Sequence, residues 1–135
     1  MIGLAPMQTR SWRRDHGAVA FTVLIVDDHA GFRGLARALL ESAGYDVVGE
    51  AKDGESAVVA SRRLEPDVVL LDVALPDLDG FSVCERILAA GGDAKIVMTS
   101  SRDISSYRVQ LETSGATGFI AKRDLSGQAL AELTG

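Results

Sequence analysis

Two runs of apolar residues, Val23-Leu24-Ile25-Val26 and Val68-Val69-Leu70-Leu71, do most to constrain what this chain can fold into. Neither alternates with polar residues, as a strand with one wet face would. A run apolar at every position fits a strand covered on both sides, which is the habit of a parallel sheet between layers of helices. Both runs end in acid, the first in Asp27-Asp28 and the second in Asp72. Carboxylates gathered at one rim of a sheet repel one another unless a cation sits among them. The pattern points to a divalent metal and to chemistry on one of the carboxylates.

The rest of the chain keeps the alternation. Helical spacing over residues 31–42 places Phe32, Leu35, Leu39 and Leu40 on one side, and Gly44 ends it. Residues 45–51 read as a second, more polar strand. Asp53-Gly54 reads as a turn, and 55–64 as a helix closed by Pro66. Strand signals follow at 68–72, 95–100 and 118–121. Helices are predicted over 81–90, weakly over 104–113, and over 125–133, where Gly127 weakens the last. Strands alternating with helices imply right-handed crossovers and an α/β fold with a doubly wound parallel sheet. In such folds ligands bind beyond the carboxyl ends of the strands. Asp27, Asp28, Asp72, Ser100 and Lys122 all fall at or just past such ends.

Composition removes several function classes. At 135 residues there is room for one domain with its own core. A net charge of -5 makes it a poor partner for phosphate backbones, so direct nucleic-acid binding is not expected. No apolar stretch has the length of a membrane span. The single cysteine, Cys84, excludes an internal disulfide and fits a reducing, cytoplasmic setting. Residues 1–20, with Arg10, Trp12, Arg13 and Arg14, read as a poorly ordered leader.

The rim residues suit phosphoryl transfer, which needs positioning and charge neutralisation. Asp28 and Asp72 can ligate Mg2+ directly, with Asp27 helping directly or through water. A carboxylate can also accept a phosphoryl group as an acyl phosphate. Lys122 can pair with phosphoryl oxygens, and Ser100 can donate a hydroxyl hydrogen bond to them. Read singly, each residue has a plainer role. Asp27-Asp28 can be a helix-capping turn, Ser100 a loop hydroxyl, Lys122 a solvated charge and Phe119 core. His29 reads as a turn or capping residue, Cys84 as a small apolar residue, and Arg62-Arg63 as wet helix surface.

The joint pattern resembles the receiver domains of response regulators, the CheY-like family. The segments that carry the likeness are Val26-Asp27-Asp28-His29, Leu71-Asp72-Val73-Ala74-Leu75-Pro76-Asp77-Leu78-Asp79-Gly80, Val97-Met98-Thr99-Ser100-Ser101 and Gly118-Phe119-Ile120-Ala121-Lys122. Their order and spacing agree with the family over residues 21–135, and the first and last lean towards the NarL/FixJ type. The resemblance implies a flavodoxin-like (βα)5 fold with strand order 2-1-3-4-5. It also implies Asp72 as phospho-acceptor, with Asp27, Asp28, Asp72 and the backbone carbonyl of Ala74 as Mg2+ ligands. Ser100 takes the place of the switch hydroxyl, with Thr99 as its rival, and Phe119 that of the switch aromatic. Lys122 would contact the phosphate. Implied partners are a sensor histidine kinase or phosphotransfer protein, and an output domain or protein reading the face of the fourth helix, fifth strand and fifth helix. Phosphorylation-dependent homodimerisation is left open. Beyond self-phosphorylation and slow self-dephosphorylation, no enzyme activity is implied.

Two positions depart from the common pattern. Arg123 follows Lys122 where proline is frequent, and Ala74 is small where many relatives carry a larger side chain. Ala74 and Arg102 flank the route of water to the phosphoryl group and should influence its lifetime. Three other readings compete: a phosphate-independent interaction scaffold, the truncated receiver half of a helix-turn-helix regulator, and a Mg2+-dependent phosphohydrolase of the haloacid-dehalogenase type. The last needs a second acid two residues after the nucleophile, where this chain has Ala74.

Overall fold

The structure is a computed structural model that describes residues 21–135. The leader reading of residues 1–20, Trp12 included, lies outside the described residues. Five strands form one sheet: β1 (Thr22–Val26), β2 (Asp46–Ala51), β3 (Val68–Asp72), β4 (Lys95–Ser100) and β5 (Gly118–Ala121). All four pairings are parallel and the order is β2-β1-β3-β4-β5. Between and after them run α1 (Ala30–Ser42), α2 (Gly54–Leu64), α3 (Gly80–Ala89), α4 (Arg108–Ser114, entered through a 3-10 turn at Ile104–Tyr107) and α5 (Gly127–Thr134). This is the doubly wound (βα)5 arrangement expected.

The uniformly apolar strands explain themselves once both cores are seen. Side chains of successive residues point to opposite faces of a strand. Leu24, Val26, Val69, Leu71, Ile96 and Met98 therefore enter one core, with Ala57 of α2 and Val83, Cys84 and Ile87 of α3. Val23, Ile25, Val68, Leu70 and Val97 enter the other, with Ala36 and Leu40 of α1 and Leu130 of α5. Cys84 is buried and its thiol is pushed up to about 11 by that burial, as suits a packing residue rather than a nucleophile.

Helix starts are set by carboxylates and hydroxyls that satisfy the first free N–H groups. Asp53 accepts from Ser56 N–H, Asp79 from Ser82 N–H and Ser126 from Ala129 N–H. Asp77 reaches across from the β3–α3 loop to accept from Gly54 N–H at 2.7 Å and Glu55 N–H at 3.0 Å. The Asp53-Gly54 turn of the sequence reading is thus a cap and the first helical residue. Gly127 is also a first helical residue, not an interior weak point, and a side chain there would overlap Ala43. The last helix begins two residues later than expected, because Leu125 and Ser126 are extended and Ser126 is the N-cap.

Candidate functional site

Parallel strands bring their carboxyl ends to one rim, and chain direction alone decides which side chains meet there. Asp27 follows β1, Asp72 and Ser100 are the last residues of β3 and β4, and Lys122 follows β5. Asp27 is wholly buried and Asp72 is 3% exposed. Lys122 Nζ lies 2.6 Å from Asp27 Oδ2 and 3.4 Å from Asp72 Oδ2. The shorter contact is a close ion pair, and it makes Asp27 the nearer partner of the ammonium. Asp27 Oδ1 accepts from His29 N–H at 2.9 Å, and Asp72 Oδ1 accepts from Ala74 N–H at 3.3 Å.

One ammonium cannot balance this many carboxylates. Burial first, and then the charge of Asp27, push the Asp72 carboxyl up from 3.8 to about 6, against the pull of Lys122. Burial also opposes ionisation of Asp27. There it is outweighed by Lys122 and His29, and the Asp27 carboxyl stays below its ordinary value. Burial would lower Lys122, but Asp27 and Asp72 together raise it. The carboxylates of Asp27, Asp28 and Asp72, with the His29 imidazole, offer ligand atoms all within 4.8 Å of one another. Three carboxylates set against a single ammonium are an excess of hard, negative donors, which fits a divalent cation such as Mg2+.

Several contacts at the rim were not expected. Lys122 Nζ sits 4.7 Å from the centre of the Phe32 ring, a cation–π contact that helps hold the ammonium. Arg33 Nη1 donates to the Asp27 carbonyl at 2.8 Å, and its Nε to Glu50 at 3.0 Å. Arg37 holds the same Glu50 at 2.7 Å, and these two guanidiniums, Arg37 foremost, lower the Glu50 carboxyl. His29 does occupy the N-cap position of α1, but its side chain makes no capping bond. Its Nδ1 lies instead 3.2 Å from Asp27 Oδ1 and 3.1 Å from Asp28 Oδ1.

Ser100 reaches the rim, and its Oγ is 3.2 Å from the Tyr107 hydroxyl and accepts from Arg102 N–H at 3.0 Å. Its rival Thr99 is buried, with a hydroxyl that has no partner among the described residues. The Tyr107 ring lies 5.8 Å from that of Phe81 and 6.1 Å from that of Phe119, so Phe119 packs half-buried behind the serine's partner. Ala74 is exposed and pairs with Asp79 through an isolated bridge. The Lys122–Arg123 bond is trans. No helix among the described residues is long and apolar enough to cross a membrane.

Comparison with known proteins follows this geometry. The chain is 35% identical over 100 residues to the chemotaxis protein CheY of Thermotoga maritima, covering 74% of this chain and 83% of that one. It is 37% identical over 112 residues to the response regulator GacA of Pseudomonas viridiflava, covering 82% of this chain and 50% of that one. The chain spans about half the length of most of the first curated relatives it matches. Its fold superposes on a chain of the CheX-CheY-BeF3-Mg+2 complex from Borrelia burgdorferi with a TM-score of 0.78 at 26% identity, covering 88% of this chain and 90% of that one. The family described as response regulator receiver domain matches residues 23–133. With its sheet order, its acidic rim and this match over nearly all the described residues, the chain belongs to the receiver-domain family of two-component response regulators.

Proposed function

We propose that Asp72 accepts a phosphoryl group from a phosphohistidine on a sensor kinase or phosphotransfer protein. A carboxylate oxygen of Asp72 forms the new P–O bond as the P–N bond breaks, and the histidine leaves neutral after taking up a proton. Asp27, Asp28, Asp72 and the Ala74 carbonyl are the residues that would hold Mg2+. When bound, the ion offsets charge on the transferring oxygens. Lys122 would offset the same charge, and it is already held between Asp27 and Asp72 and backed by Phe32. The observation that carries this reading is the pairing of one buried, electrically frustrated carboxylate with a lysine from a different strand end. A relative of this fold is described with BeF3 and Mg+2, which is consistent with it.

The loop acids argue against the phosphohydrolase. Ala74 supplies no acid, and the next candidates, Asp77 and Asp79, are committed to capping α2 and α3. Loss of Asp27, Asp72 or Lys122 would favour the phosphate-independent scaffold, and all three are present and in contact. Output follows from the switch: Ser100 leaves Tyr107 for the phosphoryl oxygens, and Phe119 takes up the space. The α4-β5-α5 face then changes for an output domain or partner. This reading assigns a cytoplasmic signalling role with only slow self-dephosphorylation.

Labelling with a small-molecule phosphodonor and Mg2+ tests it. The wild type should gain one acid-stable, base-labile phosphoryl group and Asp72→Ala none. Equal labelling of both proteins would overturn the assignment.

A further inference from the structure

His29 has no part in the function proposed above, and its position is unusual. It stands at the start of α1 with its side chain 71% exposed, free to extend into water. Instead Nδ1 turns back over the rim, at nearly equal distances of 3.2 and 3.1 Å from oxygens of two different carboxylates. Bonds of about 2.0–2.2 Å to nitrogen and oxygen, with neighbouring ligands roughly 90–110° apart, separate those ligands by about 3.0–3.5 Å. The imidazole nitrogen already has that spacing from each of the two carboxylates. The other oxygen of Asp27, Oδ2, is held by Lys122 Nζ at 2.6 Å, so Oδ1 is the Asp27 atom turned to the imidazole.

We propose that His29 is an imidazole ligand of the rim, so that this site takes first-row transition ions such as Mn2+, Co2+ or Zn2+ more tightly than Mg2+. The inference rests on the reading of Asp27, Asp28 and Asp72 as a cation site. Mg2+ is a hard ion that favours oxygen, and an imidazole adds little to its binding. Transition ions accept imidazole readily, and affinity rises along the first row towards copper. A carboxylate set with one nitrogen donor therefore separates the two classes of ion, where a carboxylate-only set would separate them less. The alternative is a plain hydrogen bond or ion pair between the ring and the acids. That arrangement would compete with every cation alike and would leave the ratio of affinities unchanged.

The full chain has two histidines, His16 and His29, which makes the assignment clean. Isothermal titration with Co2+ and with Mg2+ compares the wild type, His29→Ala and the control His16→Ala. Removing His29 should lower the Co2+ affinity about tenfold or more, the scale on which losses around a metal site act. Mg2+ affinity should move by less than about twofold. Proton NMR of the Co2+-loaded protein should show strongly shifted imidazole signals that persist in His16→Ala and vanish in His29→Ala. A Co2+-to-Mg2+ affinity ratio that His29→Ala leaves unchanged, or the absence of shifted imidazole signals in the wild type, overturns the proposal. A wild type that binds Mg2+ normally under either result leaves the cation site itself standing. A wild type that binds neither ion removes both readings together.

Discussion

Replacing Asp72 with asparagine should make the metal-free protein more stable, by an amount that grows with pH. Burial and the Asp27 charge raise the Asp72 carboxyl from 3.8 to about 6 in the folded chain. An acid with a raised folded-state value holds its proton more tightly when folded. The unfolded chain therefore releases the proton first, and stability falls as pH rises. The loss begins near the unfolded value of 3.8 and is complete once pH exceeds about 6. A difference of about two pH units, at about 1.36 kcal/mol each, amounts to about 3 kcal/mol. The side chain is 5% exposed, so solvent screening removes little of this. Asparagine keeps the shape, and keeps the oxygen that accepts from Ala74 N–H, without the charge. It gives up the 3.4 Å contact with Lys122, whose closer partner Asp27 remains. Urea unfolding in EDTA is the assay. The two proteins should agree within about 1 kcal/mol near pH 4 and differ by about 2–3 kcal/mol near pH 7.5. Adding Mg2+ should narrow the gap by stabilising the wild type. An equal gap at both pH values, or a more stable wild type at the higher one, refutes the account of a carboxylate held charged against burial and repulsion.

Two glycines should respond oppositely to alanine. A Cβ on Gly80 would overlap the Asp72 carbonyl oxygen and lie 2.8 Å from Val73 Cα, both backbone. Gly80→Ala should cost about 1–3 kcal/mol in urea unfolding, and should slow phosphodonor labelling because the end of β3 must move. Gly34, inside α1 with nothing within 4 Å, should gain about 0.5–1 kcal/mol as alanine with labelling unchanged. Tyr107→Phe removes the hydroxyl partner of Ser100 and keeps the ring between Phe81 and Phe119. It should lower the half-saturating beryllofluoride concentration by about 2- to 12-fold, the equivalent of one net hydrogen bond of about 0.5–1.5 kcal/mol.

The strands are legible because each carries a short apolar run too brief for a helix. The sequence reading of residues 68–72, 95–100 and 118–121 coincides with the observed ends. Helix ends are less so, because a capping acid such as Asp53 reads equally well as a turn residue. At α2 Asp77 adds bonds to Gly54 and Glu55 N–H, from a loop that meets the helix only in the folded chain. Strand order was never local information. Alternating elements imply a parallel sheet, but the placement of β2 beside β1 on one side and β3 on the other came from resemblance alone.

The site divides along the same physical line. Asp27, Asp72, Ser100 and Lys122 could be placed because each is at or next to a strand end, and parallel strands put all such ends on one rim. Their meeting follows from chain direction, whatever the helices do. Phe32, Arg33 and Tyr107 sit on helical elements, and their contacts depend on which helix face meets the sheet and at what height. The sequence places Phe32 only on an apolar helix face, which is compatible with its ring lying under Lys122. Arg33 had no signal at all, since a carbonyl acceptor such as that of Asp27 exists at every residue. The carboxylates and the lysine are thus a property of topology, and the groups that restrain them are a property of packing. That is why substitutions at Phe32 or Tyr107 can tune this rim without touching the residues that define it.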